Sequence, residues 1–234
     1  MRNKIGTLRY HYMIHVYCDF DGTITTRDAT DFVLERLASP GWLELEAQWQ
    51  RGEMGSADCM RRQIALLRAT RQDLDRVLDE VDIDEGFSEF ASFCDYSSIP
   101  VTIISDGVDY FIHRILGRRK LDVFRVIANR LTITSDNAYQ LASPWRAPAC
   151  AAGAGVCKCR EVEKETAHRV YVGDGRSDFC VSTTPETVFA KGKLAAHCEA
   201  MNTPYKPYKN FYDVTAGLEL LLQETYTPEP IKIV

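Results

Sequence analysis

The chain has 234 residues, 45% hydrophobic and 26% charged, with a formal net charge of -5. That suits an ordinary globular chain of one domain, or one domain carrying an insertion. It lacks the basic footprint of a binder of nucleic acid or anionic membrane. No apolar run approaches the roughly 20 residues that cross a bilayer. The apolar stretch Met13 to Cys18, behind Arg2, Lys4 and Arg9, is too short for a signal-peptide core. A cytoplasmic protein is expected, and its eight cysteines are then reduced thiols.

The run Met13, Ile14, Val16, Tyr17 predicts a short buried strand, which ends in Cys18-Asp19-Phe20-Asp21-Gly22-Thr23. Side chains alternate along a strand, so Asp19 and Asp21 share a side while Phe20 turns to the core. Two such anions stay ionised together only with a cation between them, and a hard divalent ion suits oxygen ligands. An acidic turn at a strand end is the plainer reading of that motif taken alone. From Asp28 to about Asp84 the pattern is helical: Met60, Ile64 and Leu67 share a face in Ser56 to Thr70, and Leu74, Val77, Leu78 and Val81 recur in Gln72 to Val81. Ser39-Pro40-Gly41 and Gly52 to Gly55 divide the block into about four helices.

Phe87 to Phe93 predicts a helix, and Ile99 to Ile104 a strand buried on both faces, ending in Ser105-Asp106-Gly107. A helix over Tyr110 to Leu116 follows, then a strand over Val126 to Asn129. Arg130 to Thr134 and Ala138 to Leu141 form a hairpin about Ser135-Asp136-Asn137. Arg169 to Val172 is a strand ending in Gly173-Asp174-Gly175, Val188 to Ala190 another, and Phe211 to Gln223 a closing helix. The alternation predicts an α/β fold with a doubly wound parallel sheet and a small helical insertion after the first strand. Cys150, Cys157 and Cys159 are three thiols at the wrong spacing for a structural zinc site, so loop thiols are expected.

Asp19 and Asp21, Ser105, and Asp174 each follow an apolar strand beside a glycine, and ligands of open α/β sheets bind at such carboxyl ends. Asp178, four residues past Asp174, shares a first helical turn with it if Ser177 opens a helix. Lys158 supplies the cation that faces a phosphate. Singly, Ser105 reads as a helix cap, Lys158 as a solvated lysine and Asp178 as a surface residue; in this order at strand ends they point to one site.

The series Asp19-Phe20-Asp21-Gly22-Thr23, Ser105, Lys158 and Gly173-Asp174-Gly175-Arg176-Ser177-Asp178 resembles the four motifs of the haloacid-dehalogenase-like (HAD) hydrolases. The helical insertion and Asn129-Arg130-Leu131 resemble the phosphoserine-phosphatase branch. Within it, the Asp-Phe-Asp-Gly-Thr-Ile-Thr opening, the cysteine-flanked lysine, Phe189-Ala190-Lys191 to Leu194, Cys198 and Asn210-Phe211-Tyr212 are similar to the methylthio enol phosphate phosphatases of methionine salvage.

The resemblance, running from about Val16 to Leu222, implies a Rossmann-like core over residues 1–26 and 85–234 and a helical cap over 27–84. It implies a magnesium-dependent phosphomonoester hydrolase with Asp19 as nucleophile, Asp21 as acid and base, and Ser105 and Lys158 holding the phosphate. Asp19, Asp21 (through its carbonyl) and Asp174 would hold Mg2+, with Asp178 at the metal or supporting Lys158. Thr23, Asp28, Arg61 (or Arg62), Asp106 and Gly107 are the implied substrate contacts. The expected partner is a small-molecule phosphomonoester; no nucleic acid or membrane is expected, and the protein would act as a monomer or homodimer. The substrate stays open between a salvage enol phosphate and phosphoserine or another phosphorylated amine or alcohol, and a catalytically silent phosphometabolite-binding module is the rival from another class. Asp106 replaces the small residue expected after the serine, and Cys159 an expected proline; a carboxylate there weakens phosphate binding unless it points away.

Overall fold

Strand β1 (Ile14–Cys18) has four of its five residues buried and lies at the centre of the sheet. The computed structural model describes residues 13–135, 137–150 and 152–226; the expectations placed on Arg2, Lys4, Arg9 and Asp136 lie outside them. β1 pairs in parallel with β2 (Val101–Val108) on one side and β5 (His168–Gly173) on the other, with Cys18 level with Ile103 and Val172. With β3 (Arg125–Ser135), β4 (Ala138–Ala142), β6 (Thr187–Ala190) and β7 (Lys206–Pro207) the order is β4-β3-β2-β1-β5-β6-β7. All pairings are parallel except β3 with β4. The chain departs from β1 toward both edges, which opens a crevice at the carboxyl end of β1.

Period-two alternation divides the core between the two faces of the sheet. Val16, Cys18 and Phe20 join one apolar cluster with α5 (Phe87–Tyr96), α6 (Asp109–Gly117) and α9 (Phe211–Tyr226); Tyr17 joins the other, with Val162 and Leu194. Those last two residues belong to α7 (Lys158–Glu163) and α8 (Gly192–Ala200), short helices that the sequence pattern did not signal.

The block after β1 comprises α1 (Ala29–Leu37), α2 (Trp42–Gln50), α3 (Ser56–Ile64) and α4 (Arg71–Leu78). Asp28 caps α1 by accepting the Asp31 N–H, and Thr70 and Asp73 form a capping box on α4. α3 stops at Ile64 rather than running to Thr70. There the backbone leaves the helix to bond the end of α1, Ser39 N–H to the Leu66 carbonyl and Arg68 N–H to that of Leu37. Arg114 on α6 grips Asp79 after α4 through two 2.7 Å bonds, and buried Tyr139 on β4 donates to the Ala69 carbonyl at 2.9 Å.

Two expected strands prove to be one. β3 pairs with β2 over its first half and with β4 over its second, so the polar Asn129-Arg130 marks a change of partner, not a break. β2 likewise continues through Ser105-Asp106-Gly107 to Val108, with its register shifted between Ile104 and Val108. No described helix is long and apolar enough to cross a membrane.

Candidate active site

Asp19 leaves the end of β1 with its N–H bonded to the Val172 carbonyl at 2.9 Å, which fixes it between β1 and β5. Its Oδ1 accepts the Phe20 N–H at 2.8 Å and lies 2.9 Å from the Lys158 ammonium. Lys158 begins α7 and is 1% exposed; its Nζ also donates to Asp178 Oδ1 at 2.6 Å and Ser177 Oγ at 3.2 Å. Burial alone would push that amine down, but the Asp178 and Asp19 charges outweigh it and hold the ammonium. Burial pushes the Asp19 carboxyl up, and the Asp178 charge adds to this against Lys158.

Asp178 is fully buried in a 3-10 turn (Arg176–Asp178), not in the first turn of an α-helix with Asp174. Oδ1 takes Lys158 and the Tyr171 hydroxyl, the latter at 2.6 Å; Oδ2 takes the N–H groups of Asp174 and Gly175 at 3.1 and 3.0 Å. Four donors thus occupy both oxygens, and Asp178 braces Lys158 and the β5 end. Thr23, expected at the substrate, donates its buried hydroxyl to Asp174 Oδ1 at 2.7 Å.

Asp21 Oδ1 accepts the Ala29 N–H at 2.8 Å at the entry to α1. Burial and then the charge of nearby Asp28 push its carboxyl well up, opposed by that N–H, toward the protonated form a general acid needs near neutral pH. Ser105, 1% exposed, accepts the Gly107 N–H on Oγ at 2.9 Å. A Cβ added at Gly107 would stand 2.4 Å from Asp21 Oδ2 and 3.0 Å from Ser105 Oγ. Gly107 therefore sits between Ser105 and Asp21, and a side chain there would displace the Asp21 carboxylate.

The Asp106 carboxylate turns toward Ser56 and Val156. Its Oδ2 accepts the Ser56 hydroxyl at 2.7 Å and its Oδ1 the Val156 N–H at 2.9 Å. Arg61 lies exposed on α3, paired with Asp58 at 3.4 Å, and Arg62 is exposed beside it; neither pairs with the carboxylates above. The Cys157 and Cys159 thiols lie 3.5 Å apart, and Cys180 contacts Cys159 from the turn after Asp178. Among the described residues the thiols do not assemble a three-ligand group, and Cys159 lies on α7 with Cys157 at its N-cap, not in a loop. Tyr171, Ser56 and Asn129 carry contacts in or beside the site that the sequence reading missed. Tyr171 read only as strand, and nothing local marks a hydroxyl that meets an acid seven residues later.

Asp19, Asp174 and Asp178 offer oxygens within 4.8 Å of one another. Three carboxylates against the Lys158 ammonium leave two units of negative charge, which a divalent cation neutralises. The hydrogen bonds of Asp19 and Asp174 fall on Oδ1 in each, so the donor set fits a hard cation at their other oxygens.

Comparison with known proteins agrees with this geometry. The family model of haloacid dehalogenase-like hydrolases matches residues 16–182. A 2-hydroxy-3-keto-5-methylthiopentenyl-1-phosphate phosphatase of Brevibacillus brevis is 30% identical over 221 residues, covering 89% of this chain and 96% of that protein. The enzyme so named in Geobacillus thermodenitrificans is 28% identical over 212 residues, covering 88% and 96%. Among solved structures, a phosphoserine phosphatase with a phospho-aspartyl intermediate analogue superposes with a TM-score of 0.65 at 18% identity, covering 89% of this chain and 98% of that one. Carrying that family's motif residues at the ends of its central strands, this chain belongs to the haloacid dehalogenase-like hydrolases and is a phosphatase.

Proposed function

We propose that this phosphatase hydrolyses a small phosphomonoester through a phosphorylated Asp19, with Mg2+ as cofactor, and that its substrate is the methylthio enol phosphate named in its relatives. The observation that carries the reading is the buried Lys158 ammonium shared between Asp19 and Asp178 at the β1 end. A binding module needs a cation for the phosphate, but not a second buried carboxyl beside Asp19 placed to move a proton, as Asp21 is; this weighs against the silent reading.

Asp19 attacks phosphorus while Asp21 delivers its proton to the departing enolate oxygen, giving the free enol and an aspartyl-phosphate. Asp21, now ionised, takes a proton from water as that water attacks phosphorus, releasing phosphate and restoring Asp19. Lys158 and the Ser105 hydroxyl hold the other phosphoryl oxygens, and Asp178 with Tyr171 keeps the ammonium aimed. A magnesium ion held by Asp19, Asp174 and the Asp21 carbonyl would supply charge neutralisation to the phosphoryl group. Residues 27–84 act as a cap that excludes water and selects the ester.

The test is phosphate release from a panel holding an aryl phosphate, phosphoserine and the methylthio enol phosphate generated in situ. The enol phosphate should give the highest kcat/KM. If phosphoserine wins by about tenfold, a difference of about 1.4 kcal/mol, the substrate assignment fails; if no ester is hydrolysed with Mg2+ present, the hydrolase reading fails with it.

A further inference from the structure

Asp106 stands between two residues of the phosphate site, yet its carboxylate serves neither. It is 9% exposed, and its two oxygens reach in different directions. Oδ2 receives the hydroxyl of Ser56, the first residue of α3 in the cap; Oδ1 receives the N–H of Val156, two residues before Lys158. Its own backbone is pinned from a third side, since the Asn129 amide on β3 donates to the Asp106 carbonyl at 2.5 Å and the Gly107 carbonyl at 3.2 Å. One buried acid therefore joins the cap, the segment that delivers the lysine, and the strand end that delivers the serine.

The two segments it joins also meet directly. Ala57 N–H donates to the Gly153 carbonyl at 3.1 Å. A Cβ added at Gly55 would stand 2.8 Å from that carbonyl oxygen, and one added at Gly153 would stand 3.0 Å from the Gly55 Cα. Neither glycine tolerates a side chain, because backbone packs on backbone there. Met60, one turn along α3, lies 3.9 Å from the Asn129 amide nitrogen.

We propose that Asp106 is a positioning residue that couples seating of the cap to the aim of the phosphate-gripping groups: with α3 docked on 153–156, Lys158 and Ser105 are held in one register. A buried carboxylate suits this role because it accepts on both oxygens and each bond to it is charge-assisted. The kinetic part rests on the phosphatase reading above; the structural part does not.

The experiment uses the full chain and three variants, S56A, D106A and D106N, with two readouts. The first is amide hydrogen exchange at Ala57 and Val156, which needs no activity. S56A should speed exchange at Ala57 by about tenfold and leave Val156 protected, since one charge-assisted bond is worth roughly that factor. D106A should release both amides. D106N should restore both, because its Oδ1 still accepts Val156 N–H while its amide donates to Ser56 Oγ.

The second readout is the split between KM and kcat. S56A should raise KM for the most rapidly hydrolysed alkyl ester about tenfold, and change kcat/KM for p-nitrophenyl phosphate by less than about threefold, because only an ester that fills the cap uses its closure. D106A should depress kcat/KM for both, and D106N should recover most of that loss. Unchanged exchange in S56A and D106A overturns the proposal. So does D106N behaving as D106A, which would place the negative charge on the substrate instead. If D106A does not fold, S56A and D106N decide by the same criteria. If the wild-type enzyme hydrolyses nothing, the phosphatase reading fails while exchange still tests the coupling.

Discussion

Gly107→Ala separates the two chemical duties at this site. The added methyl would stand 2.4 Å from Asp21 Oδ2, about 1 Å inside ordinary van der Waals contact, so the Asp21 carboxyl must move by about that distance. Misplacing a reacting group by about 1 Å costs on the order of 10²-fold. Asp19 keeps its bonds to Phe20 and Lys158, so the nucleophile is left in place. The loss then depends on the leaving group. Under the proposed mechanism an alkyl phosphate takes a proton from Asp21 to depart, and its kcat/KM should fall by about 10²-fold, the usual size of a general-acid contribution. p-Nitrophenolate departs without a proton, and kcat/KM for its ester, which stops at the first irreversible step, should fall by less than about tenfold. Steady-state phosphate release on both esters measures the difference. Equal losses on the two would refute Asp21 as the leaving-group acid, whatever the total loss.

Other perturbations test the charges. Asp178→Asn places an NH2 where two donors now converge, leaving buried donors unpaired at about 1–3 kcal/mol each; kcat should fall by at least about tenfold, and loss of less than threefold would remove Asp178 from its bracing role. Chelation should abolish phosphate release, Mg2+ should restore it and Ca2+ should antagonise it, because calcium takes more ligands at longer range; full activity in a chelated sample free of metal by elemental analysis would end the cofactor assignment. At the amino end of β5, away from the site, Arg169 holds the Glu186 carboxyl down at about 2 from an ordinary 4.5. A depressed carboxyl contributes stability above its unfolded value that is lost as pH falls through the folded one, so the Tm deficit of E186Q should shrink between about pH 4.5 and 2. The pair is partly solvated, which keeps that deficit small; a deficit that grows on acidification would refute the linkage.

The sheet was legible because its strands carry strong local signals. Val16 to Cys18, Ile103 and Ile104, and Val170 to Val172 are apolar runs, and each ends at a polar residue beside a glycine. The same signals place Asp19, Ser105 and Asp174 at strand ends, whereas Lys158 is marked only by the motif series it completes. What the sequence hid depends on partners far along the chain. Asn129-Arg130 read as a strand end because a strand that changes partner midway looks like two. α3 was overextended because nothing local says that Leu66 and Leu67 leave the helix for the end of α1. Thr23 read as a substrate contact, while its hydroxyl is committed to an acid 151 residues away.

Asp106 shows how a departure from a family pattern is resolved by structure. From the sequence, an acid after Ser105 is a liability at a phosphate site, since its charge would repel the substrate. In the fold it is turned aside by two donors that no window around position 106 contains, Ser56 and the Val156 amide, each 50 residues away. A glycine at 106 would leave both donors without the acceptor they have here, and α3 would lose its Ser56 tie to the end of β2. The acid's charge is met by donors from α3, from the segment before Lys158 and from Asn129 on β3. The sequence shows the anomaly, but its reason lies in pairings that only the folded chain makes.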